Sequence, residues 1–172
     1  KIKNLNFTNF FETQVYRQNT TDLNCNRHHD IFNKRKIIPK FCFGCFKVQI
    51  EPINVLNLIK LYLIFDNFEF PQNNIRKCLI ELRPDVKGLY KGIIYSSSLD
   101  EAEKVLKDLS PLLNKYLKYK SIIRRGCSEF YTVFPKFKTA KNENNLMKYN
   151  NEWKKIELYE DKNKYYKKPV LL

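Results

Sequence analysis

Between Phe41 and Pro135 the apolar residues switch period, from two to about 3.6 and back, in an order that few folds accept. Phe46, Val48 and Ile50 alternate with Lys47, Gln49 and Glu51, so Phe41 to Glu51 reads as a half-buried strand. Pro52 closes it and suits a first helical turn. Val55, Leu58, Ile59, Tyr62 and Leu63 then recur at three- and four-residue spacing, which predicts a helix that buries them and turns Asn54, Asn57 and Lys60 outward. Asp66 to Asn74 connects to a second strand, Lys77 to Arg83, with Cys78, Ile80 and Leu82 on one face. Pro84 to Gly88 reads as a hairpin turn before a third strand, Leu89 to Ser96. Ser98 with Glu101 three positions on forms a capping box for a second helix, whose inner stripe is Ala102, Val105, Leu106 and Leu109. Pro111 should kink this helix, and Ser121 to Tyr131 supplies a fourth strand. Strand, helix, strand, hairpin, strand, helix, strand predicts an α+β domain over residues 41–135. It is the ferredoxin-like β-α-β-β-α-β split sandwich, an antiparallel sheet in order 4-1-3-2 with both helices on one face. The other sheet face is left open.

Residues 1–40 and 136–172 read as irregular arms around this domain. The first carries Phe7, Phe10, Phe11, Val15 and Tyr16 and the basic run Lys34-Arg35-Lys36. The second is basic and Asn-rich, with one short helix around Trp153 and the pair Tyr165-Tyr166. Aromatic content of 15% and hydrophobic content of 43% supply a core and argue against disorder. Four glycines are too few for a phosphate-cradling loop or a loop-dominated β fold.

The formal charge of +14 favours an anionic partner, RNA or an acidic membrane face. Lys outnumbers Arg 25 to 7, and Lys, Asn and Ile share AT-rich codons, so genome composition explains part of this surplus. The longest apolar stretch, Val55 to Phe65, is broken by Asn57 and Lys60 and is too short to span a bilayer. The first ten residues lack the apolar run of a secretory signal, so the expected setting is the reducing cytoplasm, with thiols free or metal-bound.

Five cysteines give the sequence its chemistry. Cys42-Phe43-Gly44-Cys45 has the C-x2-C spacing that lets two thiolates reach one tetrahedral ion. In the expected topology Cys42, Cys45, Cys78 and Cys127 lie toward one end of the sheet. Cys78 stands a strand further away and shares the face of Ile80 and Leu82, where a small core residue belongs. The favoured metal set is therefore Cys42, Cys45 and Cys127 with His28 or His29, holding zinc in preference to an iron–sulfur cluster. Free thiols are the competing reading.

The open face would display Lys47, Gln49, Glu51, Lys77, Glu81, Arg83, Lys91, Tyr95 and either Arg124 or Arg125. Arg83 and Arg124 suit carboxylate or phosphate, and Glu51 and Glu81 are candidate bases. Cross-strand Lys–Glu pairing explains the same pattern without a ligand. The RNA-recognition motif shares this topology, but Lys91-Gly92-Ile93-Ile94-Tyr95 matches only its Lys-Gly start and one ring. RNA on this face would be held by charge. Within Arg124-Arg125-Gly126-Cys127-Ser128-Glu129, Cys127 is a candidate thiolate activated by the two arginines.

Three functions follow. The first is a basic module that binds RNA or sits in a ribonucleoprotein or other large assembly, holding anions through Lys34, Arg35, Lys36, Lys47, Arg83, Lys91, Arg124 and Arg125. The second is a small enzyme acting on an anionic molecule through Glu81, Arg83 or Cys127. The third is a protein-assembly subunit anchored by Phe10, Phe11, Trp153, Tyr165 and Tyr166.

Overall fold

The computed structural model describes residues 12–83, 86–140 and 146–164; Phe7, Phe10, Phe11, Pro84, Asp85, Tyr165 and Tyr166 lie outside them. The fold is mixed α+β. Its strands are β1 (Glu12–Gln18), β2 (Phe46–Pro52), β3 (Arg76–Glu81), β4 (Tyr90–Ser96) and β5 (Tyr119–Arg125). Its helices are α1 (Cys25–Arg35), the one-turn α2 (Lys40–Phe43), α3 (Val55–Asn67), α4 (Leu99–Tyr116) and α5 (Asn151–Asn163). The strands form one antiparallel sheet in the order β1-β3-β4-β2-β5.

The sheet has five strands where four were expected, because the supposed N-terminal arm supplies β1, which pairs along β3. The same segment supplies α1, and the C-terminal flank supplies α5. The described residues of these flanks belong to the fold. Ion pairs bind them together. Arg27 of α1 meets Glu157 and Asp161 of α5 at 2.7 Å each, and Lys34 and Arg35 reach the buried Glu160 at 2.7 and 2.6 Å. Glu157 also accepts from the Lys40 backbone N–H and the Tyr149 hydroxyl.

Helices α3 and α4 cover one sheet face. Val48, Ile50, Cys78 and Ile94 meet Leu58, Leu61 and Phe65 of α3 and Ala102, Val105, Leu109 and Leu113 of α4. Gly92 lies directly under α3: a Cβ there would collide with Leu61 Cδ2 and press on Phe65, so only glycine allows this approach. The capping box of α4 is present, with Ser98 Oγ accepting from Glu101 N–H and Glu101 reaching back to Ser97 N–H.

Helix α3 turns differently from expectation. Leu58, Leu61 and Phe65 face in, while Val55, Ile59 and Leu63 are about half exposed. The helix is apolar nearly all round, so periodicity alone cannot set its phase. Beside its outer face, Leu63, Ile64, Phe68, Leu112 and Tyr116 line a cleft of about 430 Å³. No described helix is long and apolar enough to cross a membrane.

The face expected to be open is largely closed. Leu79 is fully buried, and Gln49, Lys77, Glu81, Lys91 and Tyr95 are each less than a tenth exposed. At the Tyr95 end, Leu23, Cys25, Phe41, Cys45 and Ile75 pack over it. Trp153 is not an exposed anchor: it packs at 5.0 Å from Phe134 and 6.2 Å from Phe43, in a second core around Phe32, Ile38, Cys42, Phe130 and Phe137.

Candidate functional site

The charged groups of the closed face gather beside Cys127. Strand alternation alone would put Cys127 on the side of Arg125, away from Lys47, because Lys47 is registered with Arg124 and Phe46 with Arg125. Gly126 breaks the alternation. It adopts φ +60, its N–H donates to the Cys45 carbonyl at 2.7 Å, and the chain then enters a short 3-10 turn, Ser128–Tyr131. Cys127 Sγ thereby comes to 3.1 Å from Lys47 Nζ, which donates to it.

Three further groups complete the site. His29, presented by α1, brings a ring nitrogen within 4.8 Å of Cys127 Sγ, and its ring lies tilted at 5.7 Å from Phe130. Glu129 lies beside both, and one donor atom from each of His29, Cys127 and Glu129 falls within 4.8 Å of the others. Arg83 ties Glu129 to Glu81, and Lys91 reaches Glu81 at 3.1 Å. Lys47 also lies 5.2 Å from the centre of the Tyr95 ring.

The electrostatics favour a thiolate. Burial pushes the Cys127 thiol up, but the charge of Lys47 and the hydrogen bond from His29 bring it down to about 7. Its hydrogen bond to Cys127 raises His29 in turn, so the imidazolium and thiolate stabilise each other. For Lys47, burial alone would lower the ammonium; the facing Cys127 reverses this and holds it well above the usual lysine range. The other thiols are ordinary acids made weaker. Burial pushes Cys45 and Cys78 up to about 12, and Cys42 well up with added repulsion from Cys127.

The sequence-predicted residues scatter. Cys78 is a core residue on the helix side of the sheet. Cys42 ends in α2 rather than in a strand and faces the aromatic core, whereas Cys45 packs on Leu23 and Tyr95. The one described group of three His, Cys, Asp or Glu donors close enough to share an ion contains neither. Lys47 on the thiol and Arg83 on Glu129 put two cations against that group, and they would compete with an ion for its donors. His28 is buried and stacks on Phe41 at 5.0 Å, with Nε2 unpartnered.

The expected anion-binding cations are mostly engaged. Lys34 and Arg35 hold Glu160, Lys36 lies over Phe32, and Arg124 is 3.9 Å from Glu51. Arg125 does not face outward: it sits among the Phe43, Phe46 and Phe137 rings and donates to the Phe43 and Met147 carbonyls. Glu81 is a poor candidate base. Burial would raise it, but Arg83 and Lys91 hold it down to about 2.

Sequence reasoning paired Cys127 with the wrong cations. Its partners, Lys47 and His29, read from the sequence as a sheet-face cation and a metal ligand. The strand 4–strand 1 adjacency carried the signal, since it puts Lys47 beside the end of the strand that leads to Cys127.

His28 gives the fold an acid sensitivity. Burial is the main reason its pKa falls to about 4, with the charge of Arg27 adding to it. The unfolded chain binds a proton near pH 6.5 and the folded chain does not, so stability is full above about 6.5 and declines as pH falls toward 4. We expect a loss of about 2 kcal/mol between pH 7 and pH 5 from this residue. His28→Phe, which keeps the stack on Phe41, should flatten urea-measured stability over that interval; an unchanged slope would assign the acid sensitivity elsewhere.

No protein-family model, no curated protein and no solved structure matches the chain.

Proposed function

We propose that this protein is a thiol-dependent enzyme whose nucleophile is Cys127. The hydrogen bond from Lys47 Nζ to Cys127 Sγ carries this reading, because a buried ammonium aimed at a thiol selects the thiolate. His29 is the proton donor or acceptor beside the sulfur, and Glu129, fixed by Arg83, adds a negative charge beside it that favours the imidazolium. Tyr95 and Phe130 give the thiolate a low-dielectric wall.

Alkylation kinetics test the reading. The rate of Cys127 modification by iodoacetamide, followed by peptide mass, should rise with a midpoint near pH 7. In Lys47→Met the midpoint should move above 8, and the rate at pH 7 should fall roughly tenfold or more. A midpoint at the ordinary thiol value in the unaltered protein would sink the proposal.

The charge surplus of +14 supports an anionic partner such as RNA, but the cations singled out for that role are largely paired within the chain. Steep salt dependence of heparin or RNA retention would favour it. As for architecture, strands β5-β2-β4-β3 with α3 and α4 on one face support reading the domain as a ferredoxin-like unit extended by β1 at its edge.

A further inference from the structure

We propose that the electrophile Cys127 meets is a hydroperoxide, and that Cys42 is the thiol that resolves the oxidised product. This rests on the reading of Cys127 as a nucleophilic thiolate.

Cys127 packs against the cluster that contains Cys42. The backbone carbonyl of Cys42 lies 3.5 Å from where a Cβ on Gly126, the residue before Cys127, would stand, so the two cysteines belong to neighbouring stretches of backbone. Each is a free thiol. Cys127 is partly exposed, whereas Cys42 is buried. A second thiol in the cluster on which a thiolate packs can resolve a sulfenic acid as a disulfide, a use that acyl transfer does not have for it.

The steps balance with groups in place. The Cys127 sulfur attacks one peroxide oxygen; an S–O bond forms and the O–O bond breaks. The leaving alkoxide or hydroxide takes the proton that His29 directs at the sulfur. Sulfur is oxidised by two electrons to a sulfenic acid, and the peroxide is reduced by two to an alcohol or water. The Cys42 sulfur then attacks the Cys127 sulfur, an S–S bond forms, and the sulfenic oxygen leaves as water with the Cys42 proton. Besides burial, the Cys127 thiolate is the strongest influence keeping Cys42 protonated. Conversion to a neutral sulfenic acid removes that charge and so eases ionisation of Cys42, although its burial persists. An external dithiol would return both cysteines to the reduced state.

The experiment treats the reduced full chain with one equivalent of hydrogen peroxide at pH 7 and maps the peptides by mass. The expected product has lost two hydrogens and carries a Cys42–Cys127 cross-link. In Cys42→Ser, or Cys42→Ala should the serine not fold, the cross-link should vanish and Cys127 should be trapped as a sulfenic acid by a 1,3-dione. A cross-link from Cys127 to Cys25 or Cys45 would overturn the role of Cys42. If iodoacetamide modifies Cys127 rapidly at pH 7 while peroxide leaves it unchanged, the hydroperoxide assignment fails and the thiolate reading stands. If neither reagent distinguishes Cys127 from the other thiols, both fail.

Discussion

Glu81→Gln should cost about 4 kcal/mol of folding stability, measured by urea unfolding at pH 7. The Glu81 side chain is 1% exposed and Lys91 is 4% exposed, so the carboxylate neutralises an ammonium that has almost no access to water. It also holds Arg83 through two parallel bonds of 2.8 Å. An amide of the same shape leaves Lys91 charged, buried and unpaired. The lysine's own pKa is already lowered by burial, and without Glu81 it would fall further. The second substitution that identifies the cause is Lys91→Met. In the Glu81→Gln background it should restore most of the lost stability, since the offending charge is gone. A single-variant loss under 1 kcal/mol would mean that water reaches this face. The pH dependence separates this pair from His28. Glu81 is held down, so its contribution is present above about pH 4 and lost only as pH falls toward 2, below the interval where His28 acts.

The second large effect is expected at Gly126. Gly126→Ala places a side chain at φ +60, which costs about 1 kcal/mol by itself. Its Cβ would also overlap Phe137 Cε1 and stand 3.0 Å from Cζ. Phe137 is fully buried among Phe43, Phe130 and Arg125, so the ring has nowhere to swing. Overpacking of this kind adds about 1–3 kcal/mol, for a total near 3 kcal/mol. The functional readout should move as well. If the turn opens, Cys127 leaves Lys47, and its alkylation midpoint should rise toward that of an ordinary thiol in whatever fraction stays folded. A Gly126→Ala protein with unchanged melting and unchanged alkylation would show that the left-handed turn does not position the sulfur.

These residues also show what could be read from the sequence. The alternation around Val48, Ile80 and Ile94 and the capping box at Ser98 located the central strands and α4, because local pattern and burial agree there. Cys78 was readable as a core residue for the same reason. Helix α3 was found but rotated, since a helix with apolar residues on every side carries no phase information. β1 was missed. Its pattern, Thr13 to Gln18, is mostly polar, and its strand character comes from pairing with β3 rather than from any apolar run of its own. The closed sheet face was missed because charged residues at alternating positions look the same whether solvated or paired under cover. The thiol site was legible only in pieces. No spacing rule links His29, Lys47 and Cys127; a left-handed glycine and a helix from outside the expected domain bring them together.

The α1–α5 contact sets an order of events during synthesis. His29 belongs to α1, yet that helix is held in place by Glu157 and Asp161, 130 and 134 positions downstream of Arg27. A ribosome-bound chain that has just exposed Cys127 has its sulfur, its lysine and its histidine, but not the acidic clamp that fixes α1. The α1–α5 clamp that fixes the His29 helix therefore forms only after residues beyond 150 have left the exit tunnel.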